Sequence, residues 1–242
     1  MTPDSWNYET AADLDLTLSE RLKHFPREPD MLVYGTRLLS GALLRTWLCL
    51  YHRLAIRGRE HIPAGKACVL VANHASHLDT VCLLSALPIS RLHRAFPAAA
   101  KDYFFESMPR AVLASIVVNA LPFNRETNIR QSLALCQRLL ETPGNALILF
   151  PEGTRSASAE LGEFKPGIGL LLAGADTPVV PCYLSGAHAA LPKGKIVPRP
   201  RKIELTIGTP RSYAHRKRGK DSALEISADL RAAIESLRDS TG

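Results

Sequence analysis

Apolar positions recur at helical spacing between Met31 and Ile56, where Leu32, Leu39, Leu43 and Trp47 share a side with Leu50 and Tyr51 nearby. The pattern predicts one helix, or a pair of helices broken near Ser40–Gly41. Arg37, Arg45, His52 and Arg53 interrupt the apolar run, whereas a spanning helix needs about twenty mostly apolar residues. Arginines among leucines and aromatics suit a helix lying in a membrane interface, and suit equally a core helix of a soluble domain.

Beyond this segment the pattern alternates between short apolar runs and helical stretches. Ala67 to Ala72 (ACVLVA) and Ala146 to Phe150 (ALILF) read as buried strands. Val179 and Val180 form a third, flanked by Pro178 and Pro181, and Ile203 to Ile207 (IELTI) alternates like a strand with one solvated face. Helical patterns cover Thr80 to Leu87, Arg110 to Ala120, Asn128 to Glu141, Gly167 to Ala173 and Leu224 to Leu237. Strands interleaved with helices predict an α/β layer fold. The 242 residues suit one such domain, with two smaller domains as the alternative. The expected organisation is a polar segment over residues 1–30, a helical segment over 31–56 and the α/β domain over 57–242.

Charge narrows the partners without choosing one. A formal net charge of +7 favours anionic surfaces: nucleic acid, lipid headgroups or phosphorylated small molecules. Aromatic content of 6% and the lack of aromatics interleaved with the basic residues argue against a single-stranded nucleic-acid platform. The run Tyr213 to Lys220 (YAHRKRGK) fits a solvated loop or an anionic lipid contact. Five cysteines, an odd number without a CxxC pair, imply buried thiols in a reducing compartment. The polar, acidic first residues do not read as a signal peptide. No HEXXH or clustered Cys/His spacing marks a metal site.

The densest chemistry lies directly after the first buried strand, at Asn73-His74-Ala75-Ser76-His77-Leu78-Asp79. Ser76 with Asp79 three positions on makes a capping box, which starts a helix near His77. His74 then sits on the turn, and Asp79 in the first helical turn can fold back onto one imidazole nitrogen. The other nitrogen stays available to take a proton. Read alone, the pattern also fits a helix cap beside a satisfied turn histidine. After the second strand come Phe150-Pro151-Glu152-Gly153-Thr154-Arg155-Ser156. There Gly153 permits a tight turn and Arg155 offers a planar donor fork for phosphate. Pro122-Phe123-Asn124-Arg125 and Lys101 supply further cations.

The order of these motifs resembles the PlsC-type 1-acyl-glycerol-3-phosphate (lysophosphatidic acid) acyltransferase family. Its NHxxxxD box is matched by Asn73, His74 and Asp79, and its FPEGTRS box in full by Phe150 to Ser156. Phe123-Asn124-Arg125 matches its aromatic-x-Arg element, and Pro178 to Pro181 its proline-rich strand. The resemblance covers roughly Arg57 to Tyr183. It implies a central mixed sheet flanked by helices, with an N-terminal membrane-interface helix. It implies fatty acyl transfer from acyl-CoA or acyl-carrier protein to lysophosphatidic acid, with His74 and Asp79 catalytic. Lys101, Arg125, Glu152, Gly153, Thr154 and Arg155 would bind substrate. No cofactor or metal is expected, and the site of action would be the cytoplasmic face of the cell membrane, peripherally bound. Asn124 stands where the family carries an acidic residue, so glycerol-3-phosphate, lyso-ornithine lipid and other lysophospholipids stay open as acceptors. A non-catalytic membrane-binding module is the alternative outside enzymes.

Overall fold

The computed structural model describes residues 31–100, 117–123, 129–158 and 160–240. Strands β1 (Ala55–Arg57), β2 (Cys68–Ala72), β3 (Ala95–Ala100), β4 (Leu121–Phe123), β5 (Ala146–Leu149), β6 (Val179–Ser185) and β7 (Glu204–Ile207) form one sheet. Their order is β1-β7-β6-β2-β5-β3-β4. β2 pairs parallel with both β5 and β6, and β7 runs antiparallel to β6, so the sheet is mixed as expected. The α-helices among the described residues are α1 (Met31–Tyr51), α2 (Leu78–Ala86), α3 (Ile129–Glu141), α4 (Gly167–Leu172), α5 (Ala187–Ala190) and α6 (Lys220–Asp239), with short 3-10 helices at Arg59–His61 and Ile89–Arg94.

β2 is the centre of the molecule. All five of its residues are buried because both faces of the sheet are covered. Cys68, Leu70 and Ala72 join the cluster built with Leu48, Leu78, Cys82 and Leu83. Val69 and Val71 point the other way, into Leu171, Leu172, Ile226 and Leu230. β7 shows the half-solvated alternation read from its sequence. α6 closes the second layer against α4 and β6, and Gly169 allows the close approach to the Ala223 backbone that any Cβ would block.

Two expectations need correction, for β6 and for the end of the 31–56 segment. β6 does not stop at Pro181: it continues to Ser185, with Pro181 paired to Val71 of β2. The helical reading of Arg110 to Ala120 falls largely outside the described residues, and a strand, β4, begins at Leu121. β1 begins at Ala55, so the sheet takes in the end of the segment assigned to 31–56. Of the two readings of the N-terminal segment the single helix holds: α1 runs through Ser40 and Gly41, where Gly41 accommodates the Leu92 side chain.

The arginines of α1 turn inward. Arg37 is buried, its guanidinium lowered to about 10 by desolvation. Arg45 donates to Ser85 O at 2.7 Å and to Leu87 O, and Arg59 also donates to Ser85 O. Both therefore satisfy carbonyls at the C-terminus of α2, where a cation is favoured. The outer face is left to Leu32, Leu39, Leu43 and Leu50, each at least 63% exposed. Among the described residues no helix is long and apolar enough to cross a membrane.

Candidate active site

The two boxes meet because β2 and β5 are neighbours, with Val71 opposite Leu149. Each strand therefore delivers its following loop to the same edge of the sheet, where ligands of open α/β folds bind. Asn73 fixes the exit of β2: its amide donates to Leu184 O at 3.0 Å and accepts from Leu184 N at 2.8 Å.

The turn then brings His74 and Asp79 together. Asp79 Oδ2 lies 3.0 Å from His74 Nδ1 and accepts from the N–H groups of Ala75 and Ser76, each at 2.7 Å. Ser76 Oγ accepts from Leu78 N and donates to Leu191 O, so with Asp79 Oδ2 on Ser76 N the side chains of both residues satisfy N–H groups at the start of α2, which begins at Leu78. The Asp79 side chain is wholly buried and that of His74 is 13% exposed. A hydrogen bond to Nδ1 selects the tautomer whose Nε2 can accept a proton. Among the described residues none bonds that Nε2.

Glu152 is the brace beneath this pair. Its Oε1 accepts from His74 N at 2.8 Å and its Oε2 from Gly162 N at 3.1 Å. Ser156 N donates to His74 O at 2.8 Å, so both backbone groups of His74 are tied to the loop after β5. Burial raises the Glu152 carboxyl above its ordinary value; the two N–H bonds and the nearby His74 oppose the shift. Phe150 stacks on the imidazole, with centroids 4.0 Å apart and planes inclined 17°. Gly153 takes a φ of 75° in the turn closed by its N–H to Phe150 O, and a Cβ there would meet Lys165 Cε at 2.9 Å.

Arg155 stands close enough to His77 to act on its charge. Burial, then Arg155 and His74, lower the His77 imidazole to about 4, which keeps it neutral at neutral pH. Thr154 is exposed, its hydroxyl directed to Arg155 O at 3.3 Å. Lys101 and Arg125 lie outside the described residues. Cys82 is fully buried, and burial with the Asp79 charge raises its thiol, so it is poorly suited to act as a nucleophile. Among the described residues no group of three His, Cys, Asp or Glu side chains is placed to hold a metal ion. Sequence reading placed Glu152 at a substrate pocket and gave Phe150 no role of its own. The adjacency of β2 and β5, which one sequence does not print, is what turns both toward His74.

A model of the acyltransferase family matches residues 53–185, which contain both boxes and their supports. The chain belongs to the acyltransferase family. A chloroplastic 1-acyl-sn-glycerol-3-phosphate acyltransferase of Brassica napus is 33% identical over 60% of this chain and 40% of its own length. One from Chlamydomonas reinhardtii is 32% identical over 71% of this chain and 52% of its own. The human alpha enzyme of the same name is 30% identical over 55% and 46%. The chain thus spans about half the length of these curated relatives. The crystal structure of the 1-acyl-sn-glycerophosphate acyltransferase PlsC from Thermotoga maritima superposes with a TM-score of 0.60 at 22% identity. It covers 84% of this chain and 79% of that one, and the likeness establishes the fold this acyltransferase family member shares with it.

Proposed function

We propose that this protein is a 1-acyl-sn-glycerol-3-phosphate acyltransferase that transfers a fatty acyl group from a thioester, acyl-CoA or acyl-carrier protein, to lysophosphatidic acid. The observation that carries the reading is the His74–Asp79 contact at 3.0 Å, held from below by Glu152 of the FPEGTRS loop. Relatives that bear this activity in their names add the acceptor class.

In this mechanism His74 Nε2 takes the proton of the acceptor hydroxyl as its oxygen attacks the thioester carbonyl carbon. Asp79 orients the ring and stabilises the imidazolium, as the acid does in a Ser-His-Asp triad, with the substrate hydroxyl in place of the serine. The tetrahedral intermediate collapses by breaking the C–S bond. The departing sulfur takes the proton from the imidazolium, leaving phosphatidic acid and the free thiol with no acyl-enzyme. Arg155, Arg125 and Lys101 hold phosphate of the acceptor or the donor, while Gly153 and Thr154 shape the loop beside them. The leucine face of α1 rests in the headgroup region on the cytoplasmic side of the membrane, which brings the site to its lipid substrate without a span.

An acceptor panel with oleoyl-CoA as donor tests the reading. Lysophosphatidic acid is expected to be acylated well above lyso-ornithine lipid and a phosphate-free monoacylglycerol. Equal rates on the phosphate-free acceptor would remove the phosphate roles of the three cations. A panel in which only another lipid is acylated would move the acceptor and leave the His74 chemistry in place.

A further inference from the structure

Among the described residues, the loop between α5 and β7 carries the most exposed apolar pair outside α1. Ile196 is 91% exposed and Val197 72%. The loop is built to hold them out. Arg199 N donates to Ala190 O at 2.7 Å and closes its base, while Lys195 N bonds Pro192 O at 3.1 Å across a turn with Gly194 at φ 85°. Ile196 and Val197 follow that turn, and Pro198 and Pro200 stiffen the return.

The charge around the pair has one sign. Residues 193–202 read KGKIVPRPRK, with Lys193, Lys195, Arg199, Arg201 and Lys202 all exposed and no acidic residue among them. Lys202 is paired with Glu204 at 2.7 Å. Among the described residues no carboxylate lies within ion-pair distance of the other four. An exposed aliphatic tip ringed by cations is the chemistry that inserts into an anionic lipid surface.

Position makes the loop part of the acyl-transfer machinery's approach to lipid. On one side Leu191 O accepts from Ser76 Oγ of the His74 turn, and Lys193 Nζ donates to Arg155 O at 3.3 Å. On the other side Tyr51 Oη donates to Pro198 O at 3.1 Å, which joins the loop to the end of α1 beside Leu50. The loop thus bridges the end of α1 and the catalytic turn.

We infer that residues 192–199 form a second membrane contact, in which Ile196 and Val197 enter an anionic bilayer and fix the tilt of the His74 turn toward it. The inference rests on the proposed membrane-surface reaction. The test is sedimentation with phosphatidylcholine vesicles, with and without about a third phosphatidylglycerol. Wild type is compared with Ile196→Ser/Val197→Ser and Leu39→Ser/Leu43→Ser. The loop variant is expected to bind anionic vesicles about tenfold more weakly than wild type. Its thermal midpoint and its rate on a monomeric short-chain acceptor should match wild type. An Ile196→Trp variant should gain blue-shifted emission, relative to wild type, only when anionic vesicles are present. Loop variants that bind like wild type, or an unshifted Trp difference spectrum, would overturn the loop contact while leaving the membrane reading intact if Leu39→Ser/Leu43→Ser binds less. Absence of vesicle binding by wild type would overturn both.

Discussion

Replacing Glu152 by glutamine changes little in volume and much in bonding. The carboxylate is 9% exposed and spends one oxygen on His74 N at 2.8 Å and the other on Gly162 N at 3.1 Å. A glutamine can accept on only one side, so its NH2 must face an N–H donor on the other. The change removes one charge-assisted hydrogen bond, a loss of about 1.5–3 kcal/mol. For a chain of this length that corresponds to a fall of roughly 3–12 °C in Tm. The variant also withdraws an anion that interacts favourably with a protonated His74. Misplacement by about 1 Å costs ~100-fold in rate, and the smaller shift expected here, with the lost charge, gives a fall in kcat of about 10- to 100-fold. KM for lysophosphatidic acid should stay within about twofold, because uniform substrate binding is untouched. Steady-state kinetics on mixed micelles, paired with a thermal melt, separate the terms. A raised KM at unchanged kcat would refute the brace and make Glu152 a substrate contact.

Three further outcomes follow from the same geometry. Asp79→Asn keeps an acceptor for His74 Nδ1 but removes the charge that stabilises the imidazolium, so kcat should fall by about 10²–10⁴ with the far-ultraviolet spectrum retained; a fall below tenfold would contradict the orienting role. Gly153→Ala forces a Cβ into a φ of 75° against the flexible end of Lys165, which should cost about 1–2 kcal/mol and lower Tm by a few degrees; an unchanged midpoint would show that the turn relaxes. His77 titrates near 4 in the fold against an ordinary 6.5, so the unfolded chain takes up a proton that the folded chain refuses. Stability from this group is therefore lost as pH falls from about 6.5 to about 4. Burial raises Glu152 and gives the opposite slope, so the readout is the comparison of variant with parent: the urea midpoint of His77→Gln should decline less than wild type between those values, and parallel declines would refute the assignment.

Continuous apolar runs made β2 and β5 legible in sequence, and alternation made β7 so. The capping box placed the start of α2 to within a residue. A turn between His74 and Asp79 made their contact legible as one of two readings, and the second box with the family resemblance chose it over a plain helix cap. The remainder depends on pairing that no local pattern carries. β1 is three residues long, ends in an arginine and exists as a strand because Ala55 to Arg57 pair with β7. β3 and β4 contain Pro97 and Pro122, which argue against strands locally and are tolerated where the ladder runs short. Arg37 and Arg45 interrupt the apolar run in sequence, yet in the fold Arg37 is buried, the end of α2 supplies Arg45 with carbonyl partners and the leucines are left on the outer face. Glu152 and Phe150 reach His74 only because β5 lies beside β2.

The central claim is that His74 is the base for transfer from a thioester to a lysophospholipid hydroxyl. Oleoyl transfer from CoA to 1-acyl-sn-glycerol-3-phosphate, measured on mixed micelles for wild type beside His74→Ala, tests it most directly. Wild type should form phosphatidic acid and release one thiol per ester, while the variant, still binding anionic vesicles, should lose at least about a thousandfold in rate. A variant that turns over like wild type would contradict the account.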